Sequence, residues 1–297
     1  MDLKEIDGNL VIGDIGSFNV DQIFKCGQAF RWTENEDGSF TNVAFGRVIN
    51  ISSSDEDRTV TIKNSNIKDF YKYWFNYFDI MRDYDEIKER LSKDETLKAA
   101  IEYGHGIRIL NQDPFETIIS FIISANNGIN NIKRSVEMIA RMYGSEIGTY
   151  QGETYFAFPS PQELSIARPE QLREYARVGF RDKRIVETAK MINNKEIDLD
   201  AIHRMPIEEG RKELMKLPGI GPKVADCVLL FAFKKSESFP VDVWIKRVME
   251  VLYLHEETPK SKIADEGRRL FGDIAGFAQQ YLFYYGRDHK IGWLLLE

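Results

Sequence analysis

Short β-prone runs alternate with turn signals over residues 9–63: Phe30 to Thr33, Asp37-Gly38, Phe40 to Phe45, Val48 to Ile51 and Thr59 to Ile62. Period-two patterning between such turns predicts an antiparallel meander or hairpin series. From about Ile67 the apolar spacing becomes helical and is expected to stay so to the end, beginning with Tyr84 to Leu91 and Glu95 to Glu102. Asp113-Pro114 is a helix-start pair, and Ile118-Ile119-Ser120-Phe121-Ile122-Ile123 behind it is too apolar for anything but a buried helix. A polar turn, Ser124 to Gly128, separates it from a helix whose stripe Ile129, Ile132, Val136 and Ile139 should face inward. Ser160-Pro161-Gln162-Glu163 fits a capping box, and further helices are expected over 180–194, 207–216, 222–233, 242–253, 260–271 and 276–288. The predicted fold is therefore α+β: an antiparallel β domain with helices over 1–112, then an all-helical domain over 113–297.

Charge changes this picture only when taken by segment. The 297 residues carry a net charge of −7, the wrong sign for an ordinary nucleic-acid binder. Residues 1–112 account for most of it, with 14 basic and 20 acidic side chains, whereas 211–247 hold eight basic against four acidic. That local excess predicts modest, salt-sensitive attachment to a polyanion backbone. Cys26 and Cys227 are too far apart in sequence to form a clustered thiolate set, and the four histidines lack ligand spacing, so neither metal nor cofactor is expected. Without an export signal or a long apolar run, the chain is expected to be intracellular, in the cytoplasm or nucleoid, with no membrane partner.

The chemistry concentrates in Leu217-Pro-Gly-Ile-Gly-Pro-Lys223-Val-Ala-Asp-Cys227. A helix ends at Leu217, Gly219 and Gly221 form a tight turn, and Pro222 suits the first position of the next helix: a helix–hairpin–helix. Its exposed amides could hold a phosphate; equally, the turn could merely join two core helices. Lys223 opens an otherwise apolar helix, where partial desolvation and the positive end of the helix dipole both disfavour an ammonium. A neutral amine there could form a Schiff base with a sugar carbon, the plainer alternative being a solvated phosphate contact. Cys227 shares its face one turn later and could orient it, or be a small core residue. Asp242, in Phe239-Pro-Val-Asp242-Val-Trp244, should cap the following helix while its carboxylate stabilises a developing sugar cation.

The lysine block followed by Pro240-Val-Asp242-Val resembles the helix–hairpin–helix, Gly/Pro-rich loop and aspartate signature of the DNA glycosylase superfamily in its lysine-bearing, bifunctional form. Cys26-Gly-Gln-Ala-Phe-Arg-Trp32, Asn111-Gln-Asp-Pro114, Ile122-Ile-Ser-Ala-Asn126-Asn127, Gly179-Phe-Arg181 and Ala278-Gln-Gln-Tyr-Leu-Phe283 are similar to blocks of its 8-oxoguanine branch, in the same order. The resemblance implies a monomeric enzyme that extrudes 8-oxoguanine from duplex DNA, displaces it with Lys223 and nicks the strand by β-elimination, Asp242 assisting. It implies that the Gly27 carbonyl reads the imidazole-side NH of the lesion, Phe283 stacks on the base, Gln279 reads its Watson–Crick edge and Cys227 belongs to the lesion-binding set. Phe277, Tyr281 and Tyr284 should pack inward. Asn126 would fill the gap left by the base. Asn131, Phe180, Arg181, Gly219, Gly221, Trp244 and Lys246 complete the expected DNA contacts.

Three positions depart from the family's eukaryotic pattern: Asn131 stands for an arginine that reads the opposite cytosine, Phe180 for a tyrosine wedge and Trp244 for a phosphate-binding histidine. Lesion recognition should survive these changes while preference for cytosine weakens. The competing readings are a noncatalytic hairpin protein and a glycosylase for another damaged base.

Overall fold

The computed structural model describes residues 1–292. Strands β1 (Asp2–Ile6), β2 (Asn9–Gly13), β3 (Thr33–Glu34), β4 (Phe40–Ala44), β5 (Arg47–Ser54) and β6 (Thr59–Lys63) form one antiparallel sheet in the order β1-β2-β6-β5-β4-β3. The expected meander is β3 to β6, and the N-terminal hairpin adds to its β6 edge. Alternation sets one face inward: Leu10 pairs with Ile62 and Ile62 with Ile51, all at most 1% exposed. Two elements were not anticipated in this region. Strand β1 has little apolar alternation of its own and depends on the Asp7-Gly8 turn, where both residues have positive φ. Helix α1 (Val20–Lys25) is only six residues long and rests on its Asn19 cap, whose side chain accepts from Gln22 N at 3.1 Å.

The short helices α2 (Ile67–Asp69) and α3 (Phe75–Tyr77), joined by a π-helical turn, lay Phe70, Trp74 and Phe78 over the sheet. Trp32 stacks on Phe24 with centroids 3.7 Å apart and donates to Tyr77 Oη. Helices α4 (Tyr84–Leu91) and α5 (Glu95–Tyr103) start at the aspartate caps Asp83 and Asp94. Their buried faces, with Cys26 and Phe30, join the core of the following helices, so the larger apolar cluster spans chain position 112/113 while the sheet cluster ends at Leu110.

That second core is built on α6 (Pro114–Ser124) and α7 (Ile129–Tyr143). Asp113 caps α6, and Ile118, Ile119, Ile122 and Ile123 are essentially inaccessible. The α7 stripe is buried except at Ile129, which is 45% exposed at the mouth of a cleft. The expectation of an all-helical second domain needs a correction: β7 (Glu146–Tyr150) and β8 (Glu153–Phe156) form a hairpin inside it. Its signal is local, since Gln151-Gly152 both adopt positive φ between two β-branched and aromatic runs.

The chain continues through α8 (Pro161–Ser165), which carries the expected capping box, α9 (Pro169–Glu174), α10 (Asp182–Asn193), α11 (Leu199–Arg204) and α12 (Ile207–Leu214). Of these, α9 and α11 escaped the periodicity because each is under two turns. Helices α13 (Pro222–Phe233), α14 (Val243–Met249), α15 (Lys260–Phe271) and α16 (Ala275–Asp288) complete the body. The helix expected over 242–253 ends its α portion at Met249 and continues as a π-helical turn to Leu254. Among the described residues no helix is long and apolar enough to cross a membrane.

Candidate active site

The turn between α12 and α13 takes the form the glycines require. Gly219 has φ +87°, and a β-carbon there would lie 2.9 Å from the Arg184 side chain. Gly221 is the N-cap of α13 and offers no side-chain cap, so the first amides of the helix keep no side-chain acceptor. Two residues later Lys223 is half-buried, its Nζ 5.3 Å from the centroid of the Phe121 ring on α6. Cys227 is buried one turn further along, and burial pushes its thiol up to about 11 against the opposing pull of Lys223. It is therefore a neutral thiol at physiological pH.

Asp242 caps α14, accepting from Ile245 N at 2.8 Å. The preceding Phe239 is wholly buried and anchors the segment that delivers it. Asp226, also close to Lys223 in sequence, turns the other way: its carboxylate accepts from Arg211 Nε at 2.7 Å, with Arg268 at 3.6 Å. Burial raises its carboxyl despite the two guanidinium groups.

Lys223, Cys227 and Asp242 open into one cleft of about 810 Å³, which also takes in Gly27, Asn126, Gly219, Gly221, Trp244, Gln279 and Phe283. Ten of the fourteen sequence-derived candidates thus converge. Helix α16 forms the opposite kind of wall. Gln279 lines the cleft and is 5% exposed, and its buried Oε1 has no hydrogen-bond partner among the described residues. Phe283 packs so closely on Gly27 that a β-carbon there would meet its ring at 2.9 Å, and Gly27 itself has φ +81°. Phe277, Tyr281 and Tyr284 point into the core as expected.

Residues 11–118 match the family model of the 8-oxoguanine DNA glycosylase N-terminal domain, and 119–272 match that of the HhH-GPD superfamily of base excision DNA repair proteins. The chain belongs to the HhH-GPD superfamily, in its 8-oxoguanine glycosylase form. It is 35% identical over 229 residues to a probable N-glycosylase/DNA lyase of Methanothermobacter thermautotrophicus, covering 71% of this chain and 72% of that protein. A Clostridium acetobutylicum 8-oxoguanine glycosylase/lyase, solved with double-stranded DNA containing cytosine opposite to 8-oxoG, is 41% identical with a TM-score of 0.94, covering 98% of this chain and 99% of that one. The 3-methyladenine DNA-glycosylase from Archaeoglobus fulgidus, 23% identical with a TM-score of 0.74, shares the fold.

Within this superfamily chain, four candidates lie outside the cleft lining. Phe180 is 59% exposed, with the Arg181 and Arg184 guanidinium groups 4.3 and 5.3 Å from its ring centroid. Arg181 is itself buried, and it donates to the carbonyls of Val178, Ala125 and Asn126, bracing the turn on which Asn126 sits with φ +52°. Asn131 is exposed on α7, and Lys246 is ion-paired with Glu250. Part of the basic excess over 211–247 is already paired: Arg211 is buried with Asp226, Lys216 pairs with Glu213 at the surface, and Lys235 donates to the carbonyls of His203 and Met205. Charge counting cannot see such pairing. It also missed Phe121 beneath the lysine, Lys260 across the cleft, and Gln280 and Arg287 on α16. Arg287 was open to detection, since it follows Phe283 by four helical residues.

Proposed function

We propose that this chain excises 8-oxoguanine from duplex DNA and cleaves the strand at the resulting abasic site. The observation that carries the reading is the convergence of Lys223 and Asp242 in a cleft whose other wall presents an unpartnered Gln279 amide and an aromatic ring. The extruded base enters the cleft, stacks on Phe283 and meets Gln279 with its Watson–Crick edge, while the Gly27 carbonyl accepts from the NH that guanine gains on oxidation. The Lys223 amine attacks C1′ as the base leaves with the glycosidic electron pair. The capped Asp242 carboxylate stabilises positive charge on the sugar. The bound amine gives up a proton, its lone pair opens the C1′–O4′ bond with O4′ taking a proton, and the imine so formed loses a proton from C2′, which expels the 3′ phosphate by breaking the C3′–O bond and nicks the strand. Cys227 shares the wall as a neutral thiol, so no thiolate competes for the sugar carbon.

The duplex is held by the α13 amides beyond Gly219 and Gly221, and by Trp244 and Lys246 at the start of α14. The exposed Phe180 is the wedge, and Asn126 fills the space the base vacates. Arg181 serves this arrangement by bracing the Asn126 turn. Asn131 brings no guanidinium to the opposite base, which supports weak discrimination there.

Borohydride trapping on an 8-oxoguanine duplex tests the core of the reading. A covalent adduct is expected with the wild type and none with Lys223→Gln, whose excision rate should fall at least about a thousandfold. Intact binding with neither excision nor trapping by the wild type would leave a noncatalytic DNA-binding protein. Trapping on other damaged bases but not 8-oxoguanine would reassign the substrate.

A further inference from the structure

The loop that carries Gly27 is held from two sides: after Gly27, the buried Gln28 bonds to Ile23, Arg108, Leu110 and Gln112, and before it the chain bonds to α16. Helix α1 ends at Lys25, and its last carbonyls need partners from elsewhere, as at any helix C-terminus. The Cys26 carbonyl accepts from Gln280 Nε2 at 2.6 Å, in a bond buried from solvent because Gln280 is 2% exposed. The Lys25 carbonyl accepts from Arg287 Nη1 at 2.8 Å, and the same guanidinium lies 5.5 Å from the centroid of the Phe283 ring. The next carbonyl in the series, that of Gly27, accepts no hydrogen bond from any described residue, and Gly27 lines the cleft. A β-carbon on Gly27 would meet the Phe283 ring at 2.9 Å, so the loop backbone lies close against it. One helix therefore holds the stacking ring and the Watson–Crick amide, and also hangs the loop that presents the free carbonyl.

We propose that Gln280, assisted by Arg287, is a positioning residue that sets discrimination between 8-oxoguanine and guanine by fixing the Gly27 carbonyl relative to Phe283 and Gln279. The inference rests on the lesion-reading role of Gly27 given above. The two bases differ on their imidazole side, where the lesion offers an N–H and guanine a lone pair. A carbonyl at hydrogen-bond distance attracts the first and repels the second, and both effects fall steeply with displacement. A direct buried bond to the preceding carbonyl fixes the Cys26–Gly27 peptide, and with the buried Gln28 fixed on the far side the Gly27 carbonyl between them has little room to turn. Side-chain burial in α16 alone requires no such bond: a leucine would fill the same space.

The test is single-turnover kinetics of Gln280→Leu on three duplexes, carrying 8-oxoguanine, guanine or a preformed abasic site. Expected is a fall of about ten- to a hundredfold in the ratio of 8-oxoguanine to guanine excision, with nicking of the abasic site within about twofold of wild type. An unchanged ratio overturns the proposal, as does an equal loss on the abasic duplex, which marks a general structural defect. Should Gln280→Leu fail to fold, Arg287→Met decides on the same readouts. Wild-type protein that ignores 8-oxoguanine altogether would instead sink the underlying assignment, an outcome distinct from all of these.

Discussion

Helices α13 and α16 line one cleft, and they bring their chemistry to it by different routes. Helix α13 is self-sufficient: turn, cap, lysine and thiol follow one another within eleven residues, and the partner Asp242 arrives one connection later. Helix α16 does little alone. Its Gln279 and Phe283 meet a facing surface in the Cys26-Gly27 loop, from the other end of the chain, which is bonded to Gln280, packed on Phe283 and anchored behind by Gln28. Bond breaking can be encoded by a short local motif, because a nucleophile and a charge need one short distance between them. Discrimination between two bases needs several walls at fixed separations, which only a tertiary assembly supplies.

The two aspartates near Lys223 sharpen the same contrast. Asp226 is spent on Arg211 and Arg268 in the interior, whereas Asp242 uses its carboxylate as a helix cap at the cleft. Asp242→Asn should separate cap from charge most clearly. Asparagine caps a helix about as well as aspartate, so the melting temperature should barely change while excision and nicking both fall about 10²- to 10³-fold. Thermal unfolding beside single-turnover rates checks this; a loss of rate that tracks a loss of stability would make Asp242 merely structural.

The recognition wall should respond differently. Phe283→Ala removes a stacking surface worth about 1–3 kcal/mol, so excision of 8-oxoguanine should fall about 5- to 150-fold with nicking of a preformed abasic site nearly intact. Parallel losses in both assays would erase the division of labour between the two helices. The smallest effect concerns the opposite base. Excision rates with each of the four bases opposite should lie within about tenfold, and Asn131→Arg should add up to about 1–3 kcal/mol of preference for cytosine. A strong cytosine preference in the wild type would show that some residue other than position 131 reads the partner strand.

Legibility followed the range of the interactions involved. Helices α6, α13 and α15 were readable because their apolar positions and the proline at or just before each start, with an aspartate cap on α6, are written within a dozen residues. Strand β1, the short helices α9 and α11 and the π-helical ending after Met249 were not, since each draws its stability from a neighbour more than from its own pattern. The β7–β8 hairpin was readable in its turn yet hidden by the helical expectation around it.

The sequence by itself determined the hairpin, the lysine at the head of a buried helix, the capping aspartate and the spacing of Gln279 and Phe283 on one face. Tertiary structure alone decided where charge is available and how the cleft is closed. Arg211 and Lys235 add to the basic count and contribute little to an open surface, because a buried carboxylate or a set of carbonyls already holds them. Arg181, expected from the sequence as a DNA contact, is seen in the fold to brace the Asn126 turn, a role the sequence did not announce. Gln280, adjacent to a recognised residue, carries no local signature; its partner is a carbonyl 254 positions away, and a hydrogen bond depends on distance in space, to which chain separation is no guide.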